Sequence, residues 1–433
     1  MKKVNCAVAV SFALLSFFVM MSDCAFSQTT QWVDFYATNS GLPNNWLEGI
    51  CVDSSAVGWL GTYGGGLARY DGASWTIYNS SNCGLLSNVV DGVIKDAQGD
   101  VWISTLGGGI GKFDGTHWTF YDRSNSGLSE DTTSSLGIDS GNVWISTYGG
   151  GVCKFDGTHW TVYNKSNSGL PSDSVIGLVA DGNGNMWMGT SGAGLVEFDG
   201  THWTTYNTIN SGIPDNVVYH VVIDSAGNKW IGTEYGGAAK FDGTNWTVYN
   251  TSNSGLPTNN VNWITIDSHG NKWISDWYGG LVKYNDTTWT VYNTSNSGLP
   301  TVQLGTTSID KYNNKWICTT YGMAIFNENG ITRIGLTDVK RTDEIPTSFS
   351  LSQNYPNPFN PSTTIDFALP KSAHVLLRVY DILGRVVETL MDTTKPAGYY
   401  SVRFDGSGLS SGVYFYSLAT QGFNQVKKMI LVK

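Results

Sequence analysis

The sequence is poor in charge. Asp, Glu, Lys and Arg make up 14% of its 433 residues, and 25 basic side chains face 35 acidic ones. A nucleic-acid groove needs clustered Lys and Arg to neutralise phosphates; no such stripe occurs, so that class of partner is excluded. Cysteine is scarce as well. Only Cys51, Cys83, Cys153 and Cys318 lie beyond the first 27 residues, far apart and without CxxC spacing. Neither a disulfide framework nor a zinc site fits that pattern, and no metal or other cofactor is expected. Free or partly buried thiols are the plain expectation, although a Cys51–Cys318 bridge between neighbouring units is conceivable. Long apolar runs are missing beyond the N-terminus, so no transmembrane segment is expected in the mature chain.

That one apolar run belongs to a leader. Lys2 and Lys3 precede "VAVSFALLSFFVMM", and "AFS" places small Ala25 and Ser27 before Gln28. This is the pattern of a secretory signal peptide over residues 1–27, cut before Gln28. What the remainder has in plenty is glycine, 52 residues, and aromatics, 13%. Such a composition suits many short strands joined by glycine turns rather than helices.

The strands repeat. Tryptophans opening "WIGT"-like segments stand at 59, 102, 144, 187, 230, 273 and 316, spaced by 43 residues and once by 42. A second series, in "WTxY" segments, runs 32, 75, 118, 160, 203, 246 and 289. A fixed period of this length built from short strands predicts an all-β fold, a seven-bladed β-propeller with four strands per blade. In the sixth unit strand A is "VNWITID", B is "KWISDW", C is "GLVKYN" and D is "WTVYN". An Asp-x-x-Gly-Asn turn joins A to B, its glycine suited to positive φ. "DGT" joins C to D, and "SNSGLP", read as a glycine turn followed by Pro, leads to the next blade. One blade cannot bury its own faces, so stacked neighbours must supply Trp, Phe and Tyr at repeating positions. The count also suggests the closure. "WVDFY" at 32 is a strand D ahead of any A, and the last unit lacks a Trp-containing D. The N-terminal strand is expected to complete the final blade, with "ITRI" at 331 as its rival.

Two family resemblances follow from these words. "LPTNNVNWITIDSHGNKWISDWYGGLVKYN" resembles the two-component-regulator propeller repeat, known from periplasmic sensor domains, many of which respond to carbohydrates. No kinase or DNA-binding segment follows here, so the resemblance implies a ligand-binding propeller and not signalling. "SFSLSQNYPNPFNPSTTIDFALP", "VYDILGRVV", "LSSGVYFYSL" and "KKMILVK" resemble the type A sorting domain of the type IX secretion system. Alternating runs such as "HVLLRVYDI", "YYSVRF" and "VYFYSL" independently predict a small C-terminal β-sandwich. The expected organisation is a signal peptide (1–27), the propeller (28–335), a polar linker (336–347) and an Ig-like sorting domain (348–433). The second resemblance implies contact with the type IX machinery, outer-membrane translocation, and a secreted or cell-surface product.

Candidate site residues are those that depart from the repeat. In antiparallel blades the B–C and D–A connections share one face of the ring. Four residues before the Asp ending strand A, the chain reads Gly49, Gly92, Ser135, Gly177, His220, Trp263 and Thr306. In the B–C loop, four after the Trp, it reads Tyr63, Leu106, Tyr148, Ser191, Glu234, Trp277 and Thr320. The next position is Gly in most units but Tyr235 and Tyr278 in blades five and six, and Asp276 replaces a usual Thr. His220, Glu234, Tyr235, Trp263, Asp276, Trp277 and Tyr278 are thus expected towards one face. Aromatic faces beside carboxylates suit a glycan, which stacks its apolar face and donates hydroxyl hydrogen bonds. The competing explanation is that His220 and Trp263 merely fill a gap between blades. The expected partner is a glycan or other surface ligand. A polysaccharide-cleaving enzyme using Glu234 and Asp276, and an adhesin or envelope scaffold with protein partners, are the alternatives.

Overall fold

Alternation of apolar and polar residues over four to seven positions, cut by Gly, Asn and Asp turns, produces strands and no helix among the described residues. The computed structural model describes residues 30–335, 337–338, 348–354 and 357–433. The leader and its cleavage site, and most of the linker, lie outside them. Residues 29–341 and 342–433 belong to two separate compact units.

Seven four-stranded antiparallel sheets make up the first unit. Six take four consecutive strands, as in blade five: Val218–Ile223, Lys229–Thr233, Ala238–Phe241 and Trp246–Tyr249. The seventh combines Leu304–Ile309, Lys315–Thr319 and Gly322–Phe326 with the N-terminal strand Trp32–Phe35. Trp32 pairs with Phe326 and Phe35 with Met323, so the N-terminal strand closes the ring. The rival segment instead forms a two-residue hairpin, Arg333–Ile334 against Thr337–Asp338.

The repeated aromatics carry two kinds of contact. Within every blade, the strand-C aromatic stacks on the strand-D Trp, with ring centroids from 4.1 Å (Tyr284–Trp289) to 5.0 Å (Phe113–Trp118). Between blades, each strand-B Trp meets the strand-C aromatic of the next blade, from Trp59–Phe113 round to Trp316–Tyr70 at 6.2 Å. Such pairs contribute roughly 0.5–1.5 kcal/mol each beyond the area they bury. In four blades the Asp of the A–B turn also anchors the strand-B Trp: Trp102, Trp230, Trp273 and Trp316. Asp267 accepts hydrogen bonds from His269 N and Asn271 N on one oxygen, and from Asn271 Nδ2 and Trp273 Nε1 on the other. Its acceptor capacity is spent on the turn.

The "SNSGLP" glycine has a different cause from the one expected. At Gly169 and Gly255 φ is not positive, but a Cβ would lie 2.7 Å and 2.3 Å from the Cβ of Trp203 and Trp289. Glycine is there so that the next strand-D Trp can pack on the backbone. Among the described residues the four cysteines are free, and Cys51 and Cys318 do not bridge.

The second unit packs a three-stranded sheet (Ser350–Leu351, Ser362–Leu369, Gly398–Asp405) on a four-stranded one. The latter runs Val386–Lys395, Ala373–Tyr380, Gly412–Thr420, Phe423–Leu431. Their inner faces share a core that includes Ile365, Phe367, Val375, Leu377, Phe404, Tyr416 and Leu431. It is the expected sandwich.

Closure by residues 32–35 makes Trp32 a structural keystone. Trp32→Ala is expected to cost about 3 kcal/mol in denaturant unfolding, in the lower part of the Trp→Ala range because the ring is half-buried. A loss under about 1 kcal/mol would mean that another segment closes the ring.

Candidate functional site

Seven innermost strands converge on the ring axis, and in blades one and two they are too close for a side chain between them. A Cβ on Gly49 would lie 2.4 Å from the Asp91 carbonyl oxygen, and one on Gly92 2.7 Å from that of Ser134. Each strand A answers with an irregularity at this level. In blade two Val90 pairs with Thr105 and Gly92 with Ser104, so Asp91 is an extra, unpaired residue. The same shift occurs between Val175 and Gly177, Val218 and His220, and Val261 and Trp263. Wider ones span Leu47–Ile50, Thr133–Leu136 and Leu304–Thr307. A bulge re-aims a side chain. The bulged column, Glu48, Asp91, Ser134, Ile176, Tyr219, Asn262 and Gly305, lines a central cavity of about 600 Å³.

The loops of the B–C and D–A face build the cavity mouth. They are tied together by short bridges such as Tyr63 to Val89 and Tyr148 to Ser174. In blades one to four the fifth residue after the Trp is a glycine at positive φ, for example Gly64 at 108° and Gly149 at 110°. Its amide donates to the next blade's backbone, as Gly149 N does to Asp173 O. In blades five and six a side-chain oxygen captures that amide instead: Asp215 takes Tyr235 N at 2.8 Å and Asp276 takes Tyr278 N. Tyr321 N donates likewise to Thr319 Oγ1 in blade seven. With the backbone out of the left-handed region, tyrosine is allowed, and all three rings are exposed, by 72%, 63% and 60%. Tyr148 and a stacked pair, Trp46 on Tyr63 at 4.8 Å, continue the aromatic rim.

Six of the seven expected residues line the cavity: His220, Glu234, Tyr235, Trp263, Trp277 and Tyr278. Asp276 does not, and its assignment is corrected. It is fully buried. One oxygen accepts Thr258 N, the other Thr258 Oγ1, Tyr278 N and Gly279 N. It shapes the loop that displays Trp277 and Tyr278, and it cannot serve with Glu234 as a carboxylate pair. Glu234 instead hydrogen-bonds the phenols of Tyr219 and Tyr235; burial and then Glu234 raise the Tyr219 pKa well above the ordinary tyrosine value.

His220 and Trp263 do fill space between blades, and His220 also borders the cavity. Their rings stack at 3.5 Å, and Trp263 Nε1 donates to Thr307 O at 3.1 Å in blade seven. His220 is nine-tenths buried, and its Nδ1 accepts Ile264 N–H at 3.3 Å. Accepting at Nδ1 places the ring proton on Nε2. Burial holds its pKa down to about 3.

Glu48, Asp91, Tyr219 and Tyr321 were missed from the sequence. Tyr321 stands in the same loop column as Tyr235 and Tyr278. Glu48 and Asp91 stand five residues before the Asp that ends strand A, one position from the column that singled out His220. Burial, then the Asp91 charge, pushes Glu48 up to about 7 against a hydrogen bond from Trp46. Burial likewise raises Asp91, opposed by a Ser134 hydrogen bond. Among the described residues no three His, Cys, Asp or Glu side chains gather as metal ligands.

Comparisons with known proteins agree with this architecture. A family model described as a secretion system C-terminal sorting domain matches residues 353–433, and one described as a two component regulator propeller matches residues 169–192. No curated protein matches. Among solved structures, the extracellular domain of a hybrid two component system from B. thetaiotaomicron is 19% identical. Its TM-score is 0.61, and the alignment covers 93% of this chain and 57% of that one. The extracellular domain of a one component system from the same organism is 16% identical with TM-score 0.58, covering 94% and 59%. Streptogramin B lyase is 13% identical with TM-score 0.57, covering 70% and 98%. The chain therefore spans little more than half the length of the first two, and at these identities the likeness is one of fold. Regulator-type propeller repeats followed by a type IX sorting domain describe the chain, and its place is secreted or at the cell surface.

The His220 tautomer is open to test by heteronuclear NMR. The imidazole is expected to stay neutral, with Nε2 protonated, from pH 8 down to pH 4.5; a midpoint near 6.5 would contradict its burial. Because the unfolded histidine titrates at about 6.5, the contribution of neutral His220 to stability is complete above that pH. It is lost as the pH falls towards about 3.

Proposed function

We propose that the protein is a secreted or cell-surface glycan-binding propeller whose site is the loop face around the central cavity. The observation that carries the reading is the aromatic rim: Tyr148, Tyr235, Tyr278 and the Trp46–Tyr63 stack stand exposed around a cavity bordered by Glu48, Asp91 and Glu234. Solvent-exposed rings in such number have no packing role, and their flat faces match the apolar faces of pyranoses. Carboxylates below the rim accept hydroxyl hydrogen bonds, and His220 Nε2–H supplies a donor. The volume of the cavity, about 600 Å³, lies within the range of small-ligand pockets. With Asp276 turned into the loop, the Glu234–Asp276 pair considered for hydrolysis is not available. The C-terminal sorting domain serves export and is separate from this site.

A screen of glycan arrays and insoluble polysaccharides with the purified chain tests the reading. Tyr235→Ala and Tyr278→Ala are expected to weaken binding to any captured glycan by about five- to thirty-fold each, the loss of one or two kcal/mol of stacking. Both positions are exposed, so thermal unfolding should be unchanged. A captured glycan whose affinity neither substitution alters would place the sugar elsewhere on the protein.

A further inference from the structure

The ionisable lining of the cavity is one-sided. Glu48, Asp91 and Glu234 border it, and no Lys or Arg does. Glu48 and Asp91 occupy the bulge positions of adjacent blades, close enough to perturb one another. Trp46 stands against Glu48 and Ser134 against Asp91. A carboxylate offers about four acceptor directions, so both retain capacity towards the cavity. Three and four blades round the ring stands His220, nine-tenths buried. Its Nδ1 is occupied by Ile264 N–H, and its Nε2 has no protein partner among the described residues. Nε2–H is thus an open donor on a mostly buried ring, stacked on Trp263, beside a cavity bordered otherwise by acids and aromatic rings.

We propose that the cavity takes an amino sugar, its protonated amine held by Glu48 and Asp91 and its hydroxyl oxygens facing His220 Nε2–H. The proposal rests on the glycan reading above and narrows its ligand class. Two carboxylates flanked by aromatic rings suit an organic cation, because charge-assisted hydrogen bonds and ring faces act on the same group. A divalent metal would need further ligands that the described residues do not gather there. A lysine side chain would satisfy the acids but bring no acceptor to His220. An amino sugar satisfies both ends, whereas acidic or sulfated glycans are repelled.

Titration calorimetry on the full purified chain tests the inference with three matched sugars, a β-1,4-glucosamine tetrasaccharide, its N-acetylated counterpart and cellotetraose, and with tetralysine as a cationic peptide. The amine form is expected to bind about tenfold or more tighter than either neutral form, as a charge-assisted bond replaces a neutral one. Glu48→Gln with Asp91→Asn should bring the amine form down to the affinity of the neutral sugars. Asp91→Asn alone, which preserves shape and the Ser134 neighbour, should remove most of the advantage if the double variant fails to fold. Equal affinity for all three sugars would overturn the amine inference and leave the glycan reading standing. Tighter binding of tetralysine than of the glucosamine oligomer would overturn it in favour of a cationic peptide. Binding of no sugar, here or in the wider screen, would remove both readings.

Discussion

Crowding at the ring axis governs this structure. Seven innermost strands approach so closely that a methyl group on Gly49 or Gly92 would strike the neighbouring carbonyl. Two consequences follow. Small residues line the contact between neighbouring strands in blades one to four, and a bulge in each strand directs the preceding side chain towards the axis, where there is room. The scaffold itself creates a column of seven positions that border one cavity. Those positions are free to differ between blades, and they do: two acids, a Ser, an Ile, a Tyr, an Asn and a Gly. The outer parts of the blades have no such freedom. The strand-B Trp, the strand-C aromatic and the strand-D Trp recur because each must fit a neighbour that is nearly identical.

Much of this was legible in the sequence because it depends on local rules. The 43-residue period, the Asp-x-x-Gly-Asn turns and the orphan strand at 32 gave blade count, strand order and closure. His220, Glu234, Tyr235, Trp263, Trp277 and Tyr278 could be found by comparing units, since a residue that breaks a repeat is one the scaffold does not require. What the sequence could not show is the bulge. A one-residue shift changes which column faces the axis, and no residue type in strand A marks it. Glu48 and Asp91 were invisible for that reason, although they sit beside the column that was read.

Asp276 illustrates the opposite error. A carboxylate between aromatic loop residues has the composition of a sugar site, but the amides of Thr258, Tyr278 and Gly279 and the Thr258 hydroxyl all need an acceptor there. A buried backbone amide without a partner is costly, and Asp276 is spent on that need. The "SNSGLP" glycine misleads in the same way. It resembles a turn residue, yet its role is to let the Trp of the next strand D touch the backbone. In both cases the residue type was right for two roles, and only the three-dimensional neighbours separate them.

The account stands or falls on which column of strand A faces the cavity. Thiol labelling with a charged, membrane-impermeant reagent, read site by site by mass spectrometry, measures this directly for Ile176→Cys against Val175→Cys. In the bulged register position 176 borders the cavity and position 175 is fully buried. Rapid labelling at 176 with protection at 175 is the predicted result. Protection at 176, or equal rates at the two positions, would contradict the bulged register and with it the site.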